Sequence, residues 1–236
     1  MTRPLVSCVV PAFNSGRYII EALDSILAQT YSNIEVIVAD DGSTDDTAEI
    51  VRGYRERVRY LYQKTKGPAA TRNLGAAAAT GEFLAFLDAD DLWHAAKLDR
   101  QLDRFAVMPK IEACVTHAKM FWVPQLEHEA DEYRENPRSK AIPGYATTTL
   151  LARRSLFERI GNFRTDLWFA DATEWFIRAR ESGVMVDLIP DVLTYHRMHE
   201  SNLTRRRSDA SKAEFARIVA ESLIRRRASG VRPADV

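Results

Sequence analysis

The amino-acid sequence predicts an α/β fold in which helices flank a mostly parallel sheet. Three observations predict it. Strand-like and helix-like segments alternate through the first ninety residues, which calls for a sheet with crossover helices. The strand segments are unbroken apolar runs, as expected of strands buried on both faces. Three of those runs end in polar or glycine-bearing loops, at Pro11–Gly16, Asp40–Asp45 and Asp88–Asp91. In a doubly wound sheet such loops converge on one edge, where ligands bind.

The elements follow in order. Leu5–Val10, bounded by Pro4 and Pro11, reads as a buried strand. Ile19, Ile20, Leu23, Ile26 and Leu27 recur at amphipathic helix spacing. Ile34–Ala39 is a second strand, followed by a helix through Ala48, Ile50 and Val51; Val58–Tyr62 is a short third strand. Thr71–Ala79 is alanine-rich and helical, Glu82–Leu87 is the fourth strand, and a helix is expected to begin near Trp93. Beyond it, Glu112–Phe121 reads as a strand and Pro124–Pro143, charged and proline-bounded, as a long surface loop. Helices are expected over Arg153–Ile160 and Thr173–Ser182, ended by Gly161 and Gly183. Val184–Ile189 and Val192–Tyr195 are short strands. Near the C-terminus Phe215, Ile218, Val219, Leu223 and Ile224 share one helical face between the arginine runs Arg205–Arg207 and Arg225–Arg227. Such a basic amphipathic helix packs on its own domain, rests on a membrane surface or makes a homodimer contact.

Composition bounds the class. A chain of 236 residues with 46% hydrophobic and 28% charged residues is of ordinary globular type. No apolar run approaches the roughly 18 residues of a membrane span, and with no secretory h-region in the first residues a leader is not expected. Cys8 lies in an apolar strand and Cys114 is the only other cysteine, so reduced thiols and a cytoplasmic location are expected, with peripheral association at the inner face of the membrane as an option for the basic tail. Net charge is zero, yet residues 201–236 hold nine Lys/Arg against four Asp/Glu, leaving the first 200 residues at −5. A nucleic-acid partner is therefore not expected for the body of the protein.

The chemistry concentrates at the strand ends. Phe83–Leu87 runs straight into Asp88-Ala89-Asp90-Asp91. Carboxylates that close repel one another unless a cation intervenes, and Mg²⁺ or Mn²⁺ suits such oxygen ligands, commonly bridging phosphates. A helix cap is the competing reading of Asp90 or Asp91. Ser43 through Asp46 in Asp40-Asp41-Gly42-Ser43-Thr44-Asp45-Asp46 are explained by capping, which leaves Asp40 and Asp41 for a base imide or a ribose hydroxyl. Gly67–Asn73 opens a helix with Arg72 nearby, suited to an anionic ligand or to plain solvent exposure. The chain has no Gly-x-Gly-x-x-Gly after the first strand and no Walker lysine, which argues against a dinucleotide enzyme or a P-loop NTPase.

Val9-Val10-Pro11-Ala12-Phe13-Asn14, Asp40-Asp41-Gly42-Ser43-Thr44-Asp45, Arg72-Asn73 and Phe86-Leu87-Asp88-Ala89-Asp90-Asp91 stand in the order and spacing of family 2 glycosyltransferases. The chain resembles that family closely over residues 5–105 and more loosely to about 205. The resemblance implies a GT-A fold: a single Rossmann-like sheet with an acceptor-side elaboration and a C-terminal helix. It divides the chain into a domain over 1–205, with a nucleotide-binding half (1–105) and an acceptor-binding half (106–205), and a basic helical tail over 206–236.

Carried over by position, the resemblance implies nucleotide contacts from Pro11, Ala12 and Asn14, from Asp41 to the base imide with Asp40 beside it, from Arg72, and from Asp88 to the ribose. Asp90 would bind the metal, with His199 approaching the metal or diphosphate and Arg197 supplying charge, while Asp91 would support the following helix. Inverting transfer needs a general base opposite the leaving group. Asp171 is the expected base; the usual acid pair is reduced here to Asp171-Ala172, which leaves Glu174 as an understudy. Capping of the helix is the plain alternative for Asp171. Thr147, Thr148 and Trp175 are expected on the acceptor side. The expected function is metal-dependent, inverting transfer of a sugar from a nucleotide-sugar donor, a UDP-sugar first, to a carbohydrate, lipid-linked or peptide acceptor. A catalytically silent nucleotide-binding or scaffold protein and a nucleotidyltransferase stay open beside it.

Overall fold

The computed structural model describes residues 3–133, 141–206 and 209–228. Its first half is the expected alternation. Four parallel strands, β1 (Val6–Ala12), β2 (Ile34–Asp40), β3 (Arg59–Tyr62) and β4 (Phe83–Phe86), are separated by helices α1 (Ile19–Leu27), α2 (Thr47–Gly53) and α3 (Pro68–Ala78). The order β3-β2-β1-β4 reverses direction between β1 and β4. That switch point opens a crevice at the carboxyl ends of the two strands, and the loops after β1 and after β4 are the two that flank it.

The apolar runs are buried on both faces, as the absence of alternation predicted. Val6, Cys8, Val10 and Ala12 of β1, with Phe83, Ala85 and Leu87 of β4 and its following residue, face one core with α1. Val9, Leu84 and Phe86 face a second core with Ala69 of α3. Gly75 of α3 lies so close to the sheet that an added Cβ would sit 2.3 Å from Val9 Cγ1, and this lets the helix seat on β1.

The second half departs from a mostly parallel plan. β8 (Leu151–Arg153) joins antiparallel to β4 and to β6 (Ala113–Trp122), β6 runs parallel to β9 (Val186–Met198), and β5 (Leu92–Trp93) and β7 (Ile142–Pro143) add antiparallel pairs. The sheet is therefore parallel in its first half and mixed in its second. No helix begins at Trp93; Leu92 and Trp93 instead pair with Tyr195 and Thr194, and α4 starts later (Lys97–Val107). The two short strands expected near 184–195 are one strand, β9, with irregularities at Pro190-Asp191 and at Leu193, where the register against β6 shifts. The expected Pro124–Pro143 loop contains α5 (Glu127–Tyr133); residues 134–140 lie outside those described.

Helices α6 (Arg154–Ile160), α7 (Asp171–Glu181) and α8 (Asp209–Ala228) complete the fold. The single apolar face expected for α8 is divided. Ile218 is buried with Leu167, Ala170, Ile177 and Phe215, whereas Val219, Leu223 and Ile224 are exposed. Its cations are largely tied to the protein, Arg217 to Asp166 and both Arg225 and Arg226 to Glu181, which weakens the case for a membrane-facing basic stripe. Residues 207–208 and 229–236 of the expected tail lie outside the described ones. Among the described residues no helix is long and apolar enough to cross a membrane.

Candidate active site

The β1 and β2 ends form one corner. Asp41 N–H donates to the Ala12 carbonyl (2.8 Å), so the two strand ends are stitched together before their loops diverge. Asn14, in the left-handed region at φ 48°, ties the loops further: its N–H donates to Ser43 Oγ (2.9 Å) and its Oδ1 accepts from Thr44 N–H (2.8 Å). Asp40 is fully buried, accepting from Ser43 N–H (2.8 Å) and Tyr60 Oη (2.6 Å). Its carboxylate builds the turn rather than facing the crevice. Burial, with the Asp40 hydrogen bond second, pushes the Tyr60 phenol up and keeps it a donor. Asp41 accepts from Gln63 Nε2 (2.7 Å) and from the N–H groups of Lys66 and Gly67 (both 2.9 Å). Those bonds fold the chain back into the start of α3. Pro11 is half-buried and Ala12 buried at the same corner.

The acid cluster divides into three distinct environments. Asp88 is joined to Arg72 Nη2 at 2.8 Å, and Arg72 Nη1 reaches Asp171 Oδ2, also at 2.8 Å. Arg72 is buried at 8% exposure, and its Nε–H has no partner among the described residues. Asp90 Oδ2 meets His199 Nε2 at 2.9 Å and accepts from Asn202 Nδ2 at 3.3 Å. Its carboxyl is held below the usual range, burial opposing but the His199 hydrogen bond and the charges of His196 and His199 prevailing. Asp91 is fully buried and holds β9: it accepts from Arg197 N–H (2.9 Å) and pairs with His196 Nδ1 (2.9 Å). The expectation that Asp91 supports a following helix is thus corrected; it anchors a strand from the far half of the chain. The Asp91 charge pushes His196 up to about 9.

Arg197, expected to supply charge, is otherwise engaged. Its guanidinium lies over Tyr18 and Phe121, donates to the Asp90 carbonyl (2.8 Å) and pairs with Glu21 (2.8 Å). His199 is buried, with Nδ1 at 2.9 Å from Ser201 Oγ and its ring against Tyr18.

From the second half, α7 brings Asp171 to Arg72 as its first helical residue, two positions earlier than the periodicity predicted. Burial pushes the Asp171 carboxyl up, with the Arg72 charge opposing. Glu174, the understudy, is 2% exposed and grips Arg178 on its own helix, with the Nη2 contact at 3.0 Å. It is sequestered from the crevice. Trp175 is likewise corrected: it is fully buried, stacked on Phe157, and donates to the Gly161 carbonyl (3.2 Å), so it is core and not acceptor wall. Thr147 and Thr148 are buried in a 3₁₀ turn, the Thr148 carbonyl accepting from Trp93 Nε1 (2.8 Å). The exposed side chains near these elements are instead Tyr145, edge-on to Phe176, and Trp168. The Trp168 ring covers Gly67 so closely that a Cβ there would lie 2.7 Å from it. Neither aromatic carries a periodicity or motif that marks it in sequence.

Of the three acids of the cluster, Asp90 is the one that would hold a divalent ion. Asp88 is committed to Arg72 and Asp91 to β9, whereas Asp90 is still 29% exposed at its side chain, and His199 beside it would supply a nitrogen on giving up its proton. No three metal-ligating side chains converge among the described residues. Two protein ligands, completed by phosphate oxygens and water, are the usual complement for Mg²⁺ in phosphate chemistry.

A sheet that is parallel in its first half and mixed in its second, with its switch point between β1 and β4, defines an α/β protein of the GT-A type. The chain belongs to glycosyl transferase family 2, whose profile matches residues 7–165. It is 31% identical over 212 residues to an uncharacterized glycosyltransferase of Rickettsia typhi, covering 85% of this chain and 66%, just under two thirds, of that relative's length. Among solved structures it is similar to S. aureus TarS 1–349 in complex with UDP-GlcNAc (TM-score 0.70, 23% identity, 86% of this chain and 61% of that one). It is also similar to the mannosyltransferase PcManGT of Pyrobaculum calidifontis in complex with GDP-Man and Mn²⁺ (TM-score 0.67, 27% identity, 85% and 59%).

Proposed function

We propose that the protein is an inverting glycosyltransferase that moves a sugar from a nucleoside diphosphate donor to an acceptor hydroxyl. The observation that carries this reading is the Arg72 bridge, a single buried guanidinium bonded at 2.8 Å both to Asp88, from the nucleotide half, and to Asp171, from the acceptor half. The groups assigned to ribose and to acceptor are thereby held at one point. Asp171 is the general base that takes the acceptor proton; burial raises its basicity while Arg72 keeps it ionised and oriented. Asp41, Pro11 and Ala12 form the base corner, with Asn14 shaping its loop. Asp90 and His199 would hold Mn²⁺ or Mg²⁺. When bound, such an ion neutralises charge on the departing diphosphate. The likeness to a GDP-Man enzyme at 27% identity puts GDP beside UDP as a donor base. Two buried free thiols suit a reducing cytoplasm.

Thermal shift with UDP-glucose, UDP-GlcNAc and GDP-mannose, each with and without Mn²⁺, tests the donor and the metal together. Ligand at about 100 times its Kd stabilises by about 2.7 kcal/mol, worth roughly 5–11 °C in a chain of this size. One nucleotide class is expected to shift the midpoint, and more so with Mn²⁺. No shift from any of them would overturn the donor reading. Release of nucleoside diphosphate by Asp171→Asn tests the base: a fall of two orders of magnitude or more is expected, and unchanged turnover removes Asp171 from that role. The configuration of the product's anomeric carbon, read by NMR, tests inversion.

A further inference from the structure

The N-terminus of α7 has no local cap. The preceding residue is Ala170, whose side chain cannot accept a hydrogen bond, and no side-chain cap is formed. The turn that leads into the helix is instead held from α8, more than forty residues away. Glu214 Oε2 accepts from the N–H groups of Trp168 (3.1 Å), Phe169 (2.8 Å) and Ala170 (3.2 Å), and Oε1 accepts a second contact from Trp168 N–H (3.0 Å). The next residue in the chain is Asp171.

Other contacts fix Glu214 over this turn. Ile218, one helical turn on, is buried against Leu167 and Ala170. Arg164 pairs with Glu221, and Arg217 Nη2 reaches the Asp166 carbonyl (3.1 Å) and the Asp166 carboxylate (3.1 Å). At the other end of α7, Glu181 accepts from Arg225 Nε (2.7 Å) and from Ser222. The C-terminal helix thus grips both the segment leading into α7 and the helix's far end. An anion at a helix N-terminus is also favoured by the macrodipole.

We infer that Glu214 is a positioning residue for the transfer reaction: by holding the three amides before Asp171 it fixes the backbone from which Asp171 reaches Arg72 and the acceptor hydroxyl. This rests on the reading of Asp171 as base. Arg72 holds the Asp171 side chain, and Glu214 holds the main chain of the three residues before it. The last helix is then a working part of the acceptor half and not an appended tail.

The test compares Glu214→Ala, Glu214→Gln and Glu221→Gln with the wild-type chain, following nucleoside diphosphate release from UDP-glucose, UDP-GlcNAc and GDP-mannose with Mn²⁺. Misplacing a reacting group by about 1 Å can lower a rate by about 100-fold. Glu214→Ala is expected to lower kcat by about 10- to 100-fold while donor KM stays within about twofold. Glu214→Gln keeps an accepting oxygen and is expected to recover most of that loss. Glu221→Gln loosens α8 without touching the three amides and is expected to leave kcat within about twofold of wild type. Amide hydrogen exchange gives a readout apart from activity: protection at 168–171 should fall in Glu214→Ala and persist in Glu214→Gln. An unchanged kcat or unchanged protection in Glu214→Ala overturns the inference, as does an equal loss in Glu221→Gln, which would trace the effect to helix docking in general. Failure of the base reading is separable, since Asp171→Asn would then turn over normally whatever Glu214 does.

Discussion

A guanidinium between two carboxylates decides what each of them can do. Without Arg72, Asp171 would be a buried carboxylate with an unpaired charge, and burial already pushes it up. Lysine is a point charge without the planar fork that serves two carboxylates at once. Arg72→Lys is therefore expected to lose one of the two 2.8 Å bonds. If the bond to Asp171 is the one lost, its carboxyl rises further, and the acidic limb of kcat/KM moves to higher pH while the rate at neutral pH falls. A pH–rate profile with an unmoved acidic limb would show that Arg72 does not govern the base. At Gly67 the constraint is steric. Its φ is +92°, and a Cβ there would lie 2.7 Å from the Trp168 ring. Gly67→Ala should lower stability by about 1–3 kcal/mol, and urea unfolding would measure it; a neutral result would mean that Trp168 moves aside freely. The roles of these residues differ in how far sequence discloses them. Asp88, Asp90 and Asp91 were visible as a cluster, yet their division needed partners from positions 72, 196 and 199, which no local pattern supplies.

Elements were legible where one period persisted long enough to be counted. β1, β2, β4 and α1 fall within a residue or two of their expected limits, because strands buried on both faces and a one-sided helix leave plain signatures. Leu92–Trp93 is too short to show a period, so the chain there read as a helix start. β9 read as two strands because Pro190 and Asp191 interrupt the run; the ladder absorbs both at the register shift between Thr116 and His117. α8 misled differently, since apolar residues near one face divide between Ile218 inside and Leu223 and Ile224 outside. Glu174 and Trp175 looked functional because they follow Asp171 on the same face of α7, but Arg178 occupies Glu174 and the Phe157 ring occupies Trp175. The seating of α3 on β1 gives a prediction at this scale. Gly75→Ala would place a methyl 2.3 Å from Val9 Cγ1, and overpacking of that kind costs about 1–3 kcal/mol. Val9→Ala creates room on the facing strand, so the double variant should be more stable than the sum of its single changes predicts. Strict additivity in urea unfolding would mean that α3 shifts as a body instead.

At the scale of the whole molecule, a lysine is buried against the core that unites the two halves. Cys8, Ala85, Leu151 and Cys114 form a row across β1, β4, β8 and β6, all in the same apolar core. Lys97 of α4 is fully buried on that side, its Nζ 2.8 Å from Gln101 Oε1 and 4.2 Å from the centre of the Trp93 ring. Among the described residues no carboxylate is paired with it. Burial pushes the amine down from 10.5 to about 7, against weaker opposing effects from Cys8 and Cys114. The unfolded chain keeps the ordinary value. Between about 7 and 10.5 the unfolded state therefore holds a proton that the folded state has released, and stability rises with pH by up to about 1.4 kcal/mol per unit. Below about 7 both states are protonated and the folded one carries the whole burial penalty. Lys97→Met keeps an unbranched side chain of similar length without the charge. It should exceed wild type in stability at pH 7, and its lead should shrink steadily toward pH 10. Urea unfolding of both chains at pH 7, 8.5 and 10 measures the difference, in which every other titrating group common to the two cancels. A constant difference across that range would mean that Lys97 stays charged in the folded core, held by Gln101 and the Trp93 ring alone.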